Sequence, residues 1–345
     1  MALFGRRSTE PTPLDGVDVV LADLDGVVYA GAGALPHAID SLNLSREGRR
    51  LGYITNNASR TDASVAEHLS ELGLRTTASE VVTSPHAAVR LLVERIVPGS
   101  TVLVVGGEGL VNELEKSGFV VTRSAEDAPA AVVQGFAPEV GWAQLAEAAY
   151  ALALPEEEGG IPWIATNTDW TIPQARGIAP GNGTLVSAVH TAVGRLAIVA
   201  GKPEVPIFNE AVARFGARHP VFLGDRLDTD ILGANRAGIP SALVLTGIDR
   251  PKHVLAAPTG SQPTYILGDL RELHQPYPLA QVRDGVVTVR DAQVRIEGPD
   301  VRILAEGGNP IDLLRAGAKA IWDTGRAIYG FRVPERLYAD PFHRP

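Results

Sequence analysis

The segment Val19-Val20-Leu21-Ala22-Asp23-Leu24-Asp25-Gly26 constrains the fold more than any other stretch, because an uninterrupted apolar run stops at two carboxylates and a glycine. Four apolar residues in a row predict a strand buried on both faces, the pattern of a parallel sheet covered by helices. Such sheets bind ligands at the carboxyl ends of their strands, which is where Asp23 and Asp25 stand. Side chains two apart on a strand point to the same side, and a turn at Gly26 lets both carboxylates address one pocket.

Three further strand ends carry chemistry. Leu51-Gly52-Tyr53-Ile54 runs into Thr55-Asn56-Asn57, a hydroxyl and two amides of phosphate-binding type. Ala197-Ile198-Val199-Ala200 runs into Gly201-Lys202-Pro203. Only four of the 31 basic residues are Lys, so a lysine between Gly and Pro is read as a compact point charge chosen over the planar fork of arginine. Val221-Phe222-Leu223 runs into Gly224-Asp225, with Asp228 and Asp230 behind it. One of these three aspartates is expected to cap the helix suggested by residues 231 to 237. In order, the four ends supply a carboxylate pair, a hydroxyl, a lysine and a carboxylate. That set holds a hard cation against a phosphate.

Composition excludes several other classes. The chain is 45% hydrophobic and 21% charged, ordinary for globular domains, and its 345 residues suggest two or three of them. Net charge is −9 without a long basic run, which argues against nucleic acid and anionic membrane surfaces as partners. With no Cys there are no disulfides, thiolate nucleophiles or Cys-held metals, a usage compatible with a reducing cytoplasm. The opening residues lack the apolar stretch of a secretory signal, and no apolar run reaches transmembrane length. A cytoplasmic location and a small phosphorylated metabolite as partner are therefore expected, with homo-oligomerisation left open.

Strand and helix patterns alternate along the chain. The fold class is α/β: a Rossmann-like parallel-sheet core, an inserted α/β cap domain and a small α+β C-terminal appendage. The divisions are a flexible arm over 1–13, a core over 14–96 and 197–278, a cap over 97–196, an appended domain over 281–330 and a tail over 331–345. Gly106-Gly107-Glu108-Gly109 lacks GxGxxG spacing and is read as a plain strand-to-helix turn. Leu154 to Gly160 is a solvated acidic loop. Past Pro278, three short strands at 286–289, 294–296 and 301–304 predict an antiparallel meander. A following helix carries the apolar face Ile311, Leu314, Ala318, Ile321 and Trp322. No pyrophosphate-binding loop of the acetyltransferase kind is present there, so this layer is assigned to packing or assembly.

The four strand-end signatures together resemble those of haloacid-dehalogenase superfamily phosphatases. Gly106 to Leu110, Ala165-Thr166-Asn167-Thr168-Asp169 and Pro180-Gly181-Asn182-Gly183-Thr184-Leu185-Val186 are similar to the branch with a large second-type cap. That branch includes 4-nitrophenyl phosphate, phosphoglycolate, glycerol 3-phosphate and pyridoxal phosphate phosphatases. The resemblance covers roughly residues 15 to 275. It implies that Asp23 attacks phosphorus to form an aspartyl phosphate, and that Asp25 protonates the leaving alkoxide and then activates water. It implies Mg²⁺ bound by the Asp23 carboxylate, the Asp25 backbone carbonyl and Asp225, with Asp230 orienting from behind. Thr55, Asn56, Asn57 and Lys202 would bind the phosphate, and Asp169 would contact the leaving group. The expected activity is an Mg²⁺-dependent phosphomonoesterase acting on glycerol 3-phosphate. Phosphoglycolate, pyridoxal phosphate and nucleotides are alternatives, a phosphomutase is the enzymatic rival, and a phosphometabolite-sensing binding protein is the non-enzymatic one.

Overall fold

The computed structural model describes residues 10–174 and 176–339; most of the arm expected over 1–13 and the end of the tail expected over 331–345 lie outside them. The chain forms two compact units, one made of the described residues up to Leu51 and from Ala217 on, the other of Gly52–Gly216. These units cut across the divisions read from the sequence.

In the first unit, strands Tyr265–Leu267, Ser241–Val244, Pro220–Gly224 and Val19–Ala22 lie side by side in that order, all parallel. Val19–Ala22 is buried throughout, as its apolar run predicts. The Asp23 N–H donates to the Leu223 carbonyl at 2.8 Å, so pairing continues one residue past the strand and fixes where the first carboxylate emerges.

The C-terminal layer has four antiparallel strands in chain order, Gln281–Arg283, Val286–Val289, Ala292–Glu297 and Asp300–Ala305, packed against helix Pro310–Trp322. The first of these is absent from the sequence reading. Asp284 and Gly285 take positive φ of 50° and 74°, a turn that joins two paired strands and so requires one before it. The helix begins as its residues dictate: Asn309 accepts the Ile311 N–H at 2.9 Å, and Pro310 occupies the first turn. Its expected apolar residues Ile311, Leu314, Ala318 and Ile321 are buried. Trp322 is half-buried and donates its indole N–H to the Val254 carbonyl at 3.1 Å.

This layer has no core of its own. Val287, Val289, Val294, Leu314 and Ile321 share one apolar cluster with Leu243, Leu245, Val254, Leu255 and Ile266. Buried Arg315 fastens the join, donating to the Ile266 carbonyl at 3.0 and 2.6 Å and to the Asp312 carboxylate at 2.7 Å. It also pairs with Glu272 and stacks 4.6 Å from the Tyr277 ring centroid. Removing one partner from such a buried ionic group costs about 3–5 kcal/mol.

In the second unit, the strand ending at Thr55 pairs in parallel with Val81–Thr83. A five-stranded parallel sheet has the order Ile198–Val199, Trp163–Ala165, Ala131–Gln134, Thr101–Val105, Val120–Thr122. The strand leading to Lys202 was expected in the core; it pairs instead with Trp163–Ala165, in the sheet of the expected cap. Two apolar residues can extend any open sheet edge, and nothing local tells them which. Gly107 precedes helix Glu108–Lys116, as a plain turn should. A Cβ on Gly109 would lie 2.6 Å from the Arg60 carbonyl, so this glycine lets the helix approach the chain after Asn57. The acidic residues Glu156–Glu158 are exposed.

Helix Ser84–Val93 carries a buried histidine that no motif announced. His86 Nδ1 accepts the Thr83 N–H at 3.0 Å, while Nε2 lies 3.4 Å from Glu113 and 3.8 Å from Asp62. Burial, with Arg214 and Lys116 nearby, pushes the imidazole down to about 3 despite the opposing pull of Asp62. The unfolded chain takes up this proton near 6.5, but the folded one refuses it until about 3, so stability falls as pH drops through that window. Glu113, raised by burial above the ordinary 4.5, offsets part of the loss on the higher side. His86→Gln keeps an acceptor for the Thr83 N–H and removes the titration. Its unfolding free energy in urea should therefore decline less than that of the native protein between pH 6.5 and 4.5; parallel declines would contradict this account.

Candidate active site

The first unit brings Asp23, Asp225 and Asp230 together. One oxygen from each carboxylate lies within 4.8 Å of the others, and all three residues are buried. Glycines make the room. Gly26 turns the chain at φ 80°, and a Cβ there would sit 2.3 Å from Asp225 Oδ2. A Cβ on Gly247 would sit 1.9 Å from the same oxygen, and one on Gly224 would lie 2.3 Å from the Asp230 Cβ.

Backbone donors hold the carboxylates in place. Asp225 Oδ2 accepts the Ile248 N–H at 2.6 Å, and Asp230 Oδ2 accepts the N–H groups of Asp225 and Arg226 at 3.1 and 3.2 Å. Asp230 thus shapes the turn that presents Asp225. None of the three aspartates caps the following helix, Leu232–Arg236, contrary to expectation. A widened turn intervenes, with both Asp230 and Ile231 donating to the Arg226 carbonyl at 3.1 and 3.0 Å, which spends Asp230 on the strand end instead. Asp228 is exposed and pairs with Arg226 at 3.0 and 2.8 Å.

Asp25 is exposed, in a loop pinned by the Gly26 N–H on the Tyr29 carbonyl at 2.9 Å and by the Thr246 hydroxyl on the Gly26 carbonyl at 2.7 Å. Residues Thr246 to Asp249 were missed by sequence reasoning, although Leu245-Thr246-Gly247 shows the same apolar-to-turn break as the other strand ends. Asp249 accepts the Leu227 N–H at 2.6 Å and pairs with His253 at 2.9 Å, and burial pushes its carboxyl up. Three buried carboxylates with only oxygen donors, in a cradle cut to shape by glycines, suit a hard divalent cation such as Mg²⁺ and not a soft one.

The second unit brings Asn56, Asp169 and Lys202 together. Thr55 and Lys202 are buried, Asp169 half-buried. The Asn56 carboxamide clamps the Lys202 backbone, accepting its N–H at 2.8 Å and donating to its carbonyl at 3.0 Å. It also donates to Asp169 Oδ1 at 3.1 Å. Asn56 was expected to bind phosphate; in the structure its two amide hydrogens are committed to Asp169 and to the Lys202 carbonyl. Gly201 is required because a Cβ would lie 2.6 Å from Asn56 Oδ1 and from the Thr166 carbonyl. The Lys202–Pro203 peptide is cis. Asn57 is exposed and accepts the Ser59 and Arg60 N–H groups at 2.8 and 3.3 Å, an Asx turn leading toward helix Asp62–Glu71. Thr55 Oγ1 accepts the Asn57 N–H at 3.1 Å.

A family model described as haloacid dehalogenase-like hydrolase matches residues 20–120, and a HAD-hydrolase-like model matches 199–273. The chain is 42% identical over 330 residues to the D-glycerol 3-phosphate phosphatase of Mycobacterium tuberculosis, spanning 93% of this chain and 90% of that protein. It is 35% identical over 282 residues to the glycerol-3-phosphate phosphatase of Gallus gallus, spanning 73% and 89%. The crystal structure of a glycerol phosphate phosphatase from Mycobacterium tuberculosis in complex with magnesium matches with a TM-score of 0.84 at 41% identity, covering 93% of this chain and 94% of that one.

The glycine cradle is testable by cation binding alone. Gly247→Ala should displace the Asp225 carboxylate and weaken Mg²⁺ binding about tenfold or more in calorimetry. Gly33→Ala, where a Cβ meets nothing within 4 Å, is the matched control and should bind as the native protein does. Equal affinities for both variants would show that the cation does not use this cradle.

Proposed function

The chain belongs to the haloacid dehalogenase-like hydrolases, and on that premise we propose that it is an Mg²⁺-dependent phosphomonoesterase whose preferred substrate is glycerol 3-phosphate. The observation that carries this reading is the buried Asp23, Asp225 and Asp230 cluster at the strand ends of the first unit. The names of the relatives supply the substrate. No helix among the described residues is long and apolar enough to cross a membrane. A cytoplasmic site of action belongs to the same proposal.

Asp23 and Asp225, with the Asp25 carbonyl, hold Mg²⁺, which when bound neutralises charge on the phosphoryl oxygens. The Asp23 carboxylate attacks phosphorus, and the bond to the leaving oxygen breaks as Asp25 gives it a proton, releasing the alcohol and leaving an aspartyl phosphate. Asp25, now a carboxylate, takes a proton from water as that water attacks phosphorus, which frees Asp23 and inorganic phosphate. Its exposed position supports proton exchange with solvent. Lys202 and the Thr55 hydroxyl hold the other phosphoryl oxygens. The positive charges of Mg²⁺ and Lys202 are needed, since a phosphate dianion near an anionic nucleophile is opposed by about 1 kcal/mol per charge pair at ~4 Å in water, and by several times that in a cleft. Asp230 keeps Asp225 in place. Asp169 recognises hydroxyls of the leaving alcohol.

A panel of glycerol 3-phosphate, phosphoglycolate, pyridoxal phosphate, a nucleoside monophosphate and 4-nitrophenyl phosphate, compared by kcat/KM with Mg²⁺, tests the assignment. Glycerol 3-phosphate should lead, EDTA should abolish turnover and Mg²⁺ should restore it; another leader would reassign the substrate, and full activity after chelation would refute the metal site.

The roles of the two aspartates separate by leaving group. Asp23→Asn should cost about 10⁴-fold or more in kcat on every substrate while the protein stays folded. Asp25→Asn should slow glycerol 3-phosphate by about 10²-fold or more, yet spare 4-nitrophenyl phosphate, whose phenolate leaves without a proton. Equal losses on both substrates would remove Asp25 from the acid's role.

A further inference from the structure

The second unit holds its lysine and its polar loop with neutral carboxamides instead of charges. Asn56 spans the Lys202 backbone from N–H to carbonyl at 2.8 and 3.0 Å, and the same amide reaches the Asp169 carboxylate at 3.1 Å. The Asn56 carbonyl in turn accepts Asn167 Nδ2 at 2.8 Å and the Ser84 hydroxyl at 2.7 Å. Asn167 Oδ1 accepts the Asp169 N–H at 3.2 Å, and the Asn167 carbonyl accepts Asn182 Nδ2 at 2.7 Å. Asn182 opens helix Asn182–Val193. Hydrogen bonds thus run unbroken from that helix to the lysine.

Both outer members are buried, Asn167 at 4% and Asn182 at 1% exposure, so water does not readily substitute for their bonds. Asn182 Oδ1 is buried without a protein partner, as are both carboxamide atoms of neighbouring Gln134. An unsatisfied buried oxygen is costly, and the one short bond of the Asn182 side chain is the one to Asn167. The backbone is tight where they meet: a Cβ on Gly183 would lie 2.3 Å from the Thr168 carbonyl, and one on Gly181 2.2 Å from the Asp169 carbonyl. The loop therefore has one arrangement against the helix start.

We propose that Asn167 and Asn182 are positioning residues: through Asn56 they fix the Lys202 backbone and the Asp169 carboxylate in a single geometry, so that phosphate recognition and alcohol recognition are set together. This rests on the phosphatase reading of the site. A defect in the relay should accordingly reach Lys202 and damage every substrate, because the phosphoryl group is common to all. Loss of Asp169 alone should damage only substrates with hydroxyls to recognise.

Asn167→Asp tests this with almost no change of shape. It keeps the acceptor for the Asp169 N–H but replaces the donor to the Asn56 carbonyl with an acceptor. We expect kcat/KM to fall about 10- to 100-fold for glycerol 3-phosphate and 4-nitrophenyl phosphate alike, with faster amide exchange over residues 198–205. The deficit should shrink toward acid pH, where the new carboxyl regains a proton to donate, a recovery that a merely structural lesion would not show. Asp169→Ala should impair glycerol 3-phosphate only. Asn182→Ala, should the first variant not fold, should give a weaker loss on both substrates. The proposal is overturned if the folded variants keep both activities within about twofold, or lose only glycerol 3-phosphate, with exchange at 198–205 unchanged. If the native protein hydrolyses no phosphate ester, the phosphatase reading falls, and the exchange data alone decide whether the relay exists.

Discussion

Three buried carboxylates within 4.8 Å of one another repel, and the first unit is organised around tolerating that repulsion until a cation arrives. The strands set the positions. Val19–Ala22 and Pro220–Gly224 run parallel in register, so that Asp23 and Asp225 leave neighbouring strands at the same end. Backbone N–H groups at 225, 226 and 248 then supply partial positive charge to the carboxylates, and glycines at 26, 224 and 247 remove the side chains that would occupy the same space. Such a site is preorganised for a cation, because little has to move when charge is neutralised.

The second unit solves a different problem. A buried lysine needs its backbone fixed so that its long, flexible side chain starts from a defined point. Two-point contacts from the Asn56 carboxamide do this without adding a charge that would compete for the ammonium group. An arginine or carboxylate in that place would alter the field around the ammonium group.

Strand ends were the legible part of this chain. An apolar run that breaks abruptly into Asp, Thr-Asn-Asn, Gly-Lys or Gly-Asp is a local signal, and each of those breaks lies at a strand end in the structure. Partners were not legible. That Ile198–Val199 joins Trp163–Ala165, that Asn56 meets Asp169, and that the C-terminal sheet shares a core with Leu243 and Val254 are contacts between distant residues, which no window of sequence contains. The strand Gln281–Arg283 was overlooked for a different reason: all three residues are exposed, so it carries no apolar alternation, and only the Asp-Gly turn after it points to its presence. His86 was invisible because one histidine in an apolar helix has no pattern at all.

The pairing of Val19–Ala22 with Pro220–Gly224 also sets an order of events during synthesis. Gly52–Gly216 is continuous in sequence, whereas the unit holding Asp23 is split around those roughly 165 residues. At about 5–20 residues per second, the roughly 200 residues from the first strand to its partner take about 10–40 s to leave the ribosome. Through that interval the edge of Val19–Ala22 that Pro220–Gly224 later covers is unpaired, and the uninterrupted unit has time to fold first. The nascent chain is therefore most in need of a chaperone at Val19–Ala22, and synonymous codons that slow translation between the two strands would lengthen the exposure without altering a single residue.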